Sequence, residues 1–191
     1  MSDTPITLLA RKEIAQNTVY RICLDHIRSS NGEEVGSFLA VVPKALGADQ
    51  LGGVCILLLA VGKVGLLKVW RHPLGRSGYE IPRGFIDEGE SALAAAQREL
   101  VEETGIVIDA AHLEPLGYFT PEAALLQARV ALFVAHLPGA FGAAGPEMGH
   151  TGFDWLPEAE VREMLARGEI EDPATNIAWL RYSLNKGGQH G

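Results

Sequence analysis

The sequence is poor in cysteine and has no long hydrophobic run. Only Cys23 and Cys55 occur, each within an apolar run typical of a strand. A disulfide scaffold or a cysteine-rich zinc site is therefore excluded, and two small buried thiols suit a reducing compartment. No run approaches the ~18 apolar residues of a membrane span, and the N-terminus lacks the pattern of a signal peptide. We expect a cytoplasmic protein with no membrane partner.

Basic residues are also in deficit. The chain has 16 Lys and Arg against 24 Asp and Glu, a formal net charge of -8. Proteins that bind nucleic acid neutralise phosphates with clustered Lys and Arg, and this chain shows no such cluster. The balance argues against a nucleic-acid partner.

The 191 residues can bury one substantial core, and their apolar patterns predict a protein rich in strands. An Asn31-Gly32 turn between two strand patterns predicts an N-terminal antiparallel hairpin. VCILLLAV is too apolar to be half-exposed and is predicted to be a central strand. The expected strands are TVYRICLDHI, VGSFLAVV, VCILLLAV, VGLLKVW, LEPLGYF, LQARVALFVAHL and TGFDWL.

Three helices are expected. The first has Ser91 as its N-cap and ends before Gly105. The second begins at Pro157 and ends at Gly168, and the third begins at Asp172-Pro173. In the third helix Ile177, Leu180 and Leu184 share a face. PGAFGAAGPEMGH, between the last strands, is predicted to be a mobile loop.

The first helix carries an unusual group of charges. At about 100° per residue, Glu99, Glu102 and Glu103 fall on one arc beside the apolar arc that includes Leu100. Glu99 and Glu103 repel at this spacing, with a partial offset from Arg98 facing Glu102. A hard divalent cation would explain the arrangement, because Mg²⁺ prefers oxygen ligands. The alternative is a solvated acidic helix face.

These glutamates belong to a longer pattern. Gly84, Glu90, Arg98-Glu99-Leu100, Glu102-Glu103 and Gly105-Ile106 fill every fixed position of GX5EX7REUXEEXGU, in which U is aliphatic. This is the Nudix box, and the chain resembles the Nudix hydrolases. The resemblance implies an α+β fold, an α/β/α sandwich with a mixed β-sheet. We place the N-terminal hairpin extension at residues 1–46, the Nudix domain at 47–186 and a flexible tail at 187–191.

The resemblance also implies roles for the residues of the box. In the family, the box holds Mg²⁺ or Mn²⁺ against a substrate diphosphate, so Glu99, Glu102 and Glu103 are the expected metal ligands. The main-chain carbonyl of Arg83 is a further candidate ligand. Arg98 would orient the glutamates. Glu90 would brace the loop, and Gly84 would let the backbone bend closely.

Hydrolysis also needs a group that accepts the proton of the attacking water. In the sugar-nucleotide branch of the family this carboxylate comes from a loop well downstream of the box, which nominates Glu147 in PGAFGAAGPEMGH. Glu122 is a second candidate. His150, in the same loop as Glu147, is expected to be a surface histidine.

The flanks of the box resemble the ADP-ribose pyrophosphatase branch. They include the N-terminal hairpin and WRHPLGRSGYEIPRG before the box. By analogy, Arg71 is a candidate phosphate or ribose contact and Glu80 a candidate hydroxyl acceptor. Arg83 stands where this branch usually has alanine, so it could bind an extra phosphate or face solvent. Trp70 and Tyr79 could stack on a base or serve in packing.

The predicted activity is Mg²⁺-dependent hydrolysis of a nucleoside diphosphate linked to another moiety, with ADP-ribose or a related ADP-sugar giving AMP and a sugar phosphate. A homodimer is expected by analogy, since N-terminal strands in this branch often pair with a second subunit. Two alternatives stay open. One is a Nudix module that senses a ligand without catalysis, and the other is a hydrolase of dinucleoside polyphosphates or other nucleotides.

Overall fold

The computed structural model describes residues 5–188 as two β-sheets and three α-helices. The strands are β1 (Ile6–Gln16), β2 (Tyr20–Ser29), β3 (Glu34–Pro43), β4 (Leu51–Ala60), β5 (Lys63–Arg71), β6 (Arg76–Glu80), β7 (Arg83–Phe85), β8 (Leu113–Phe119), β9 (Arg129–Leu137) and β10 (His150–Pro157). The helices are α1 (Ala92–Thr104), α2 (Glu158–Ala166) and α3 (Pro173–Gly188). Among the described residues, no helix is both long and apolar enough to span a membrane.

The N-terminal sheet is antiparallel in the order β1-β2-β3. The predicted hairpin is present as β2 and β3, and Gly32 at their turn has a φ of +90°, which favours glycine. Strand β1 adds a third strand that the sequence analysis did not predict. Every residue of β1 is exposed, so its sequence lacks the alternation that marks a strand with one buried face.

The second sheet has seven strands and a mixed pattern. Its main order is β10-β5-β4-β9-β8, with β6 paired to β5 and β7 paired to β4. Strands β4 and β9 are parallel, whereas the other pairings are antiparallel. The short strand β7 contains Gly84 and lies directly before the loop that leads to α1, and its pairing with β4 anchors that loop to the centre of the sheet.

Strand β4 shows why the sheet is covered on both faces. Its side chains alternate, so Ile56 and Leu58 pack on one face while Leu57 and Leu59 pack on the other. Helix α1 covers the first face, and helices α2 and α3 cover the second. The predicted α/β/α sandwich with a mixed sheet is confirmed.

Both cysteines are free and buried, as predicted. Burial raises the pKa of the Cys55 thiol to about 12, so this thiol stays protonated and behaves as an apolar side chain.

Main-chain hydrogen bonds join the N-terminal sheet to the rest of the chain. Val41 donates its N–H to the Leu125 carbonyl at 2.8 Å and accepts from the Gln127 N–H at 2.9 Å. At the other end of the chain, α3 continues to Gly188, into the range where the tail was placed. Residues 189–191 of that tail lie outside the described residues.

Candidate active site

The loop that precedes α1 and the helix itself bring the acidic residues together. As predicted, Ser91 caps α1, accepting a hydrogen bond from the Ala94 N–H at 3.1 Å, and Gly105 ends it with a φ of +68°. Gly84 passes so close to the helix that a Cβ placed there would lie 1.9 Å from Glu99 Oε1. Only glycine lets this strand approach the carboxylate.

Arg98 organises the glutamates. Its Nε and Nη2 donate to Glu90 at 3.1 and 2.9 Å, and Nη1 donates to Glu99 at 2.7 Å and to Glu102 at 3.1 Å. Nη2 also donates to the Phe85 carbonyl at 2.8 Å. One guanidinium therefore ties the helix to its preceding loop and partly neutralises the carboxylates.

Glu103 lies deepest in the acidic cluster, with only 2% of its surface exposed. Its Oε2 accepts a hydrogen bond from the Arg83 main-chain N–H at 2.8 Å. Burial, aided by the charges of Glu147 and Glu99, raises the pKa of Glu103 to about 8. Burial likewise raises the pKa of Glu99, although Arg98 opposes this. Such groups are costly to ionise unless a positive charge joins them.

The loop between β9 and β10 reaches the same place. The Gly145 N–H donates to the Glu103 carbonyl at 2.6 Å and the Ala143 N–H donates to the Thr104 carbonyl at 3.1 Å, so the loop is fixed to the end of α1. This attachment brings the Glu147 carboxylate within 4.8 Å of that of Glu103.

His150 is where the sequence interpretation was wrong. It was expected at the surface, yet its side chain is only 4% exposed. Its Nε2 lies 3.3 Å from Glu103 Oε1 and 3.7 Å from Glu147 Oε2, and its buried Nδ1 has no hydrogen-bond partner among the described residues. His150 follows a glycine-rich loop, and such a context predicts exposure. It is nevertheless the first residue of β10, whose pairing with β5 places it beside Val69.

The donor set suits a hard divalent cation. Carboxylate oxygens of Glu99, Glu102 and Glu103 line one cavity of about 550 Å³ together with Glu147 and His150. Ligand atoms of Glu103, Glu147 and His150 lie within 4.8 Å of one another. Oxygen donors with one imidazole nitrogen accommodate Mg²⁺ or Mn²⁺. The carboxylate of Glu99, close to Gly84, and the buried carboxylate of Glu103 both line this cavity.

The residues predicted to contact substrate form a second charged group. Arg71 Nε and Nη2 donate to the buried carboxylate of Glu80 at 2.9 and 2.5 Å. Arg83 does not project into solvent, contrary to one expectation, because its Nη2 lies 2.5 Å from Asp172 Oδ2 and 3.3 Å from Glu80 Oε2. Sequence reasoning missed Asp172, which was recognised only as part of a helix start.

Other candidates are placed less directly. Glu122 is exposed and accepts a hydrogen bond from the Ala124 N–H, which ties it to its own turn. Trp70 is exposed. Tyr79 donates to Asp154 at 2.8 Å. Tyr20 and Phe85 contact each other edge to face and line the same cavity as the glutamates, so the N-terminal sheet contributes to the site through Tyr20.

A second cavity of about 480 Å³ lies between β6 and the start of α3. Glu80 and Asp172 line it, and Arg71 and Arg83 line both cavities. The two cavities therefore adjoin at these arginines.

Comparison with known proteins agrees with this geometry. The NUDIX domain family model matches residues 50–180, which is more than half of the chain. The chain therefore belongs to the Nudix family, and the resemblance drawn from the box is confirmed.

Among curated relatives, the chain is 50% identical over 56 residues to the ADP-sugar pyrophosphatase of Mus musculus, covering 29% of this chain and 26% of that protein. It is 31% identical over 98 residues to the ADP-ribose pyrophosphatase of Bacillus subtilis, covering 51% of this chain and 49% of the relative. The matches thus span about a quarter to a half of these relatives. A solved structure described as an ADP compounds hydrolase superposes with a TM-score of 0.75 at 19% identity, covering 100% and 98% of the two chains, and shows the shared fold.

Proposed function

We propose that this chain is a divalent-metal-dependent pyrophosphohydrolase that cleaves the diphosphate of ADP-ribose or a related ADP-sugar. The observation that carries the proposal is the convergence of Glu99, Glu102, Glu103 and Glu147 on one cavity. Relatives named for ADP-sugar and ADP-ribose hydrolysis support the substrate class. Water would attack one phosphorus and its bond to the bridging oxygen would break, so that AMP and a sugar phosphate are released.

Glu99, Glu102 and Glu103 would hold Mg²⁺, or Mn²⁺ in its place, with the Arg83 carbonyl as a further ligand. When bound, such a cation neutralises diphosphate oxygens and lowers the pKa of an attacking water. Arg98 keeps Glu99 and Glu102 oriented through the four hydrogen bonds that it makes to their carboxylates and to that of Glu90.

Glu147 is proposed to accept the proton of the attacking water. It is 58% exposed at its side chain, so it can reach both solvent and Glu103 without a large desolvation cost. His150 is buried between Glu147 and Glu103 and would steady both carboxylates.

Arg71 and Arg83 are proposed to face the anionic or sugar part of the substrate, and Glu80 its hydroxyl groups. Arg71 and Arg83 line both cavities. A substrate with its diphosphate in the cavity of the glutamates can therefore extend its nucleoside or sugar into the cavity between β6 and α3. Glu80 forms ion pairs with both Arg71 and Arg83. These side chains are therefore already ordered, and less conformational entropy would be lost when substrate binds.

A panel assay tests the proposal. Purified protein with Mg²⁺ is incubated with ADP-ribose, other ADP-sugars, dinucleoside polyphosphates and capped RNA, and products are identified by mass spectrometry. AMP and a sugar phosphate from ADP-ribose or an ADP-sugar are expected. Turnover confined to the other compounds would reassign the substrate, and tight ADP-ribose binding without turnover would indicate a sensing module.

We further propose that the chain acts in the cytoplasm as a homodimer formed through the N-terminal sheet. Large apolar side chains are exposed there, including Leu8, Ile14, Phe38 and Leu39. Phe38 and Leu39 are consecutive in β3, so both faces of this sheet expose apolar side chains, and such exposure favours contact with another subunit. Light scattering should give the mass of a dimer for the wild type and of a monomer for Leu8→Lys. A monomeric wild type would contradict the dimer without affecting the proposed chemistry.

A further inference from the structure

Arg83 connects the glutamate cluster with a carboxylate on another element. Its main-chain N–H holds Glu103, while its guanidinium reaches away toward the start of α3. The Nη2 atom is buried, although 27% of the side chain is exposed, and it faces Asp172 at ion-pair distance without an aligned hydrogen bond. The position of Arg83 therefore depends on Glu103 at its main chain and on Asp172 at its guanidinium.

Asp172 is itself firmly held. Its Oδ2 accepts from the Thr175 N–H at 2.7 Å and from the Thr175 hydroxyl at 2.6 Å, so it caps α3. Thr175 Oγ1 in turn accepts from the Ile81 N–H at 3.0 Å, two residues before Arg83. The carboxylate of Asp172 is therefore fixed between Thr175 and the Arg83 guanidinium, whose Nη2 lies 2.5 Å from its Oδ2.

We propose that Asp172 is a positioning residue for the metal site, acting through Arg83. The inference rests on the proposed function, because it assigns Asp172 a part in the same metal-dependent reaction. Asp172 holds the arginine side chain, and the side chain holds the main chain of residue 83 in the orientation that donates to Glu103.

The charges around Arg83 explain why Glu80 does not replace Asp172. Glu80 already takes two hydrogen bonds from Arg71, at 2.9 and 2.5 Å, and its distance to Arg83 Nη2 is 3.3 Å. Without the Asp172 carboxylate, the buried Nη2 of Arg83 would have only Glu80 as a partner, and Glu80 is already paired with Arg71. A buried charge left short of its partner is strongly unfavourable, so Arg83 would turn toward solvent and shift its main chain.

Asp172→Asn tests the proposal, since asparagine still caps α3 but removes the charge. Mn²⁺ binding is measured by electron paramagnetic resonance, and activity is measured as a function of Mg²⁺ concentration. We expect Mn²⁺ affinity about 10- to 100-fold weaker, as for the loss of other supporting groups around metal ligands. Because the Arg83 side chain is also a proposed substrate contact, the KM for substrate at saturating Mg²⁺ should rise as well, and Mn²⁺ affinity measured without substrate is the deciding readout.

Glu171→Gln is the matched control. It removes a neighbouring carboxylate that pairs with Arg76 at the surface, and it should leave Mn²⁺ affinity unchanged. If Asp172→Asn does not fold, Asp172→Ser replaces it, because serine also caps a helix. Wild-type Mn²⁺ affinity in a folded Asp172 variant would overturn the proposal.

A double variant separates positioning from general damage. In an Arg83→Ala background, Asp172→Asn should cause no further loss of Mn²⁺ affinity, because the group through which Asp172 acts is gone. An equal loss in both backgrounds would overturn the proposal. Mn²⁺ binding needs no turnover, so a wild type that binds Mn²⁺ but hydrolyses no diphosphate would refute the proposed function alone.

Discussion

Glu103→Gln offers the most informative perturbation of the acidic cluster. Glutamine keeps the shape of the side chain and an oxygen that can accept from the Arg83 N–H. It removes a carboxylate whose pKa is raised to about 8, chiefly by burial. We expect the variant to keep the fold and to lose nearly all hydrolysis, because a neutral amide is a poor ligand for a hard cation.

The raised pKa gives this variant a second, independent signature. In the metal-free protein the neutral form of Glu103 is favoured, so its stabilising contribution is full below its ordinary pKa and is lost as pH rises through about 8. At about 1.4 kcal/mol per pKa unit, the rise from 4.5 to about 8 sets an upper limit of about 5 kcal/mol on the cost of ionising this group. At pH 9 the metal-free variant should therefore melt above the metal-free wild type, by at most roughly 10–20 °C.

Differential scanning calorimetry from pH 5 to 9, with and without Mg²⁺, measures this difference. Mg²⁺ should raise the Tm of the wild type at high pH and leave that of Glu103→Gln unchanged. Glu114→Gln removes one exposed charge on β8 and should follow the wild type throughout. Equal pH dependence in the wild type and Glu103→Gln, or equal stabilisation by Mg²⁺, would refute the reasoning.

Four further variants examine the surrounding groups. Arg98→Lys cannot reproduce the contacts of the guanidinium, so the Mg²⁺ concentration for half-maximal activity should rise by about 10- to 100-fold. An unchanged Mg²⁺ titration would show that Arg98 does not orient the glutamates. Gly84→Ala places a methyl group against the Glu99 carboxylate and should abolish Mn²⁺ binding seen by calorimetry, whereas binding at full affinity would show that the loop can relax. Glu147→Gln should lower kcat by about 10²- to 10⁴-fold with little change in KM, and a larger loss in His150→Gln would move the proton-accepting role to the histidine.

The sequence predicted most of the fold because local signals and packing agree along the central strands. The apolar run of β4 identified a strand buried on both faces, and Ser91 and Gly105 marked the ends of α1. Helix α3 was harder. Its predicted face included Leu180 and Leu184, which are exposed, whereas Ala174, Ala178 and Tyr182 pack on the sheet. Small residues allow the helix to lie close to the sheet, and hydrophobicity alone did not reveal this.

Some residues of the candidate site could likewise be predicted from the sequence, and others could not. The glutamates of α1 were predictable because they lie within one continuous motif. Asp172 and His150 were not, since each joins the site through tertiary contacts between elements far apart in sequence. Asp172 meets Arg83 because α3 packs on β4, β8 and β9 and its Thr175 accepts a hydrogen bond from Ile81. His150 meets Glu103 because β10 pairs with β5.

A divalent cation is expected among the glutamates of α1, with a diphosphate beside it. Crystals grown with Mn²⁺ and a non-hydrolysable ADP-ribose analogue give the sharpest test, through anomalous scattering from manganese. We expect an anomalous peak within coordination distance of Glu103 and of at least one of Glu99 and Glu102. A bound analogue with no anomalous peak among these carboxylates would show that they hold no cation beside the substrate.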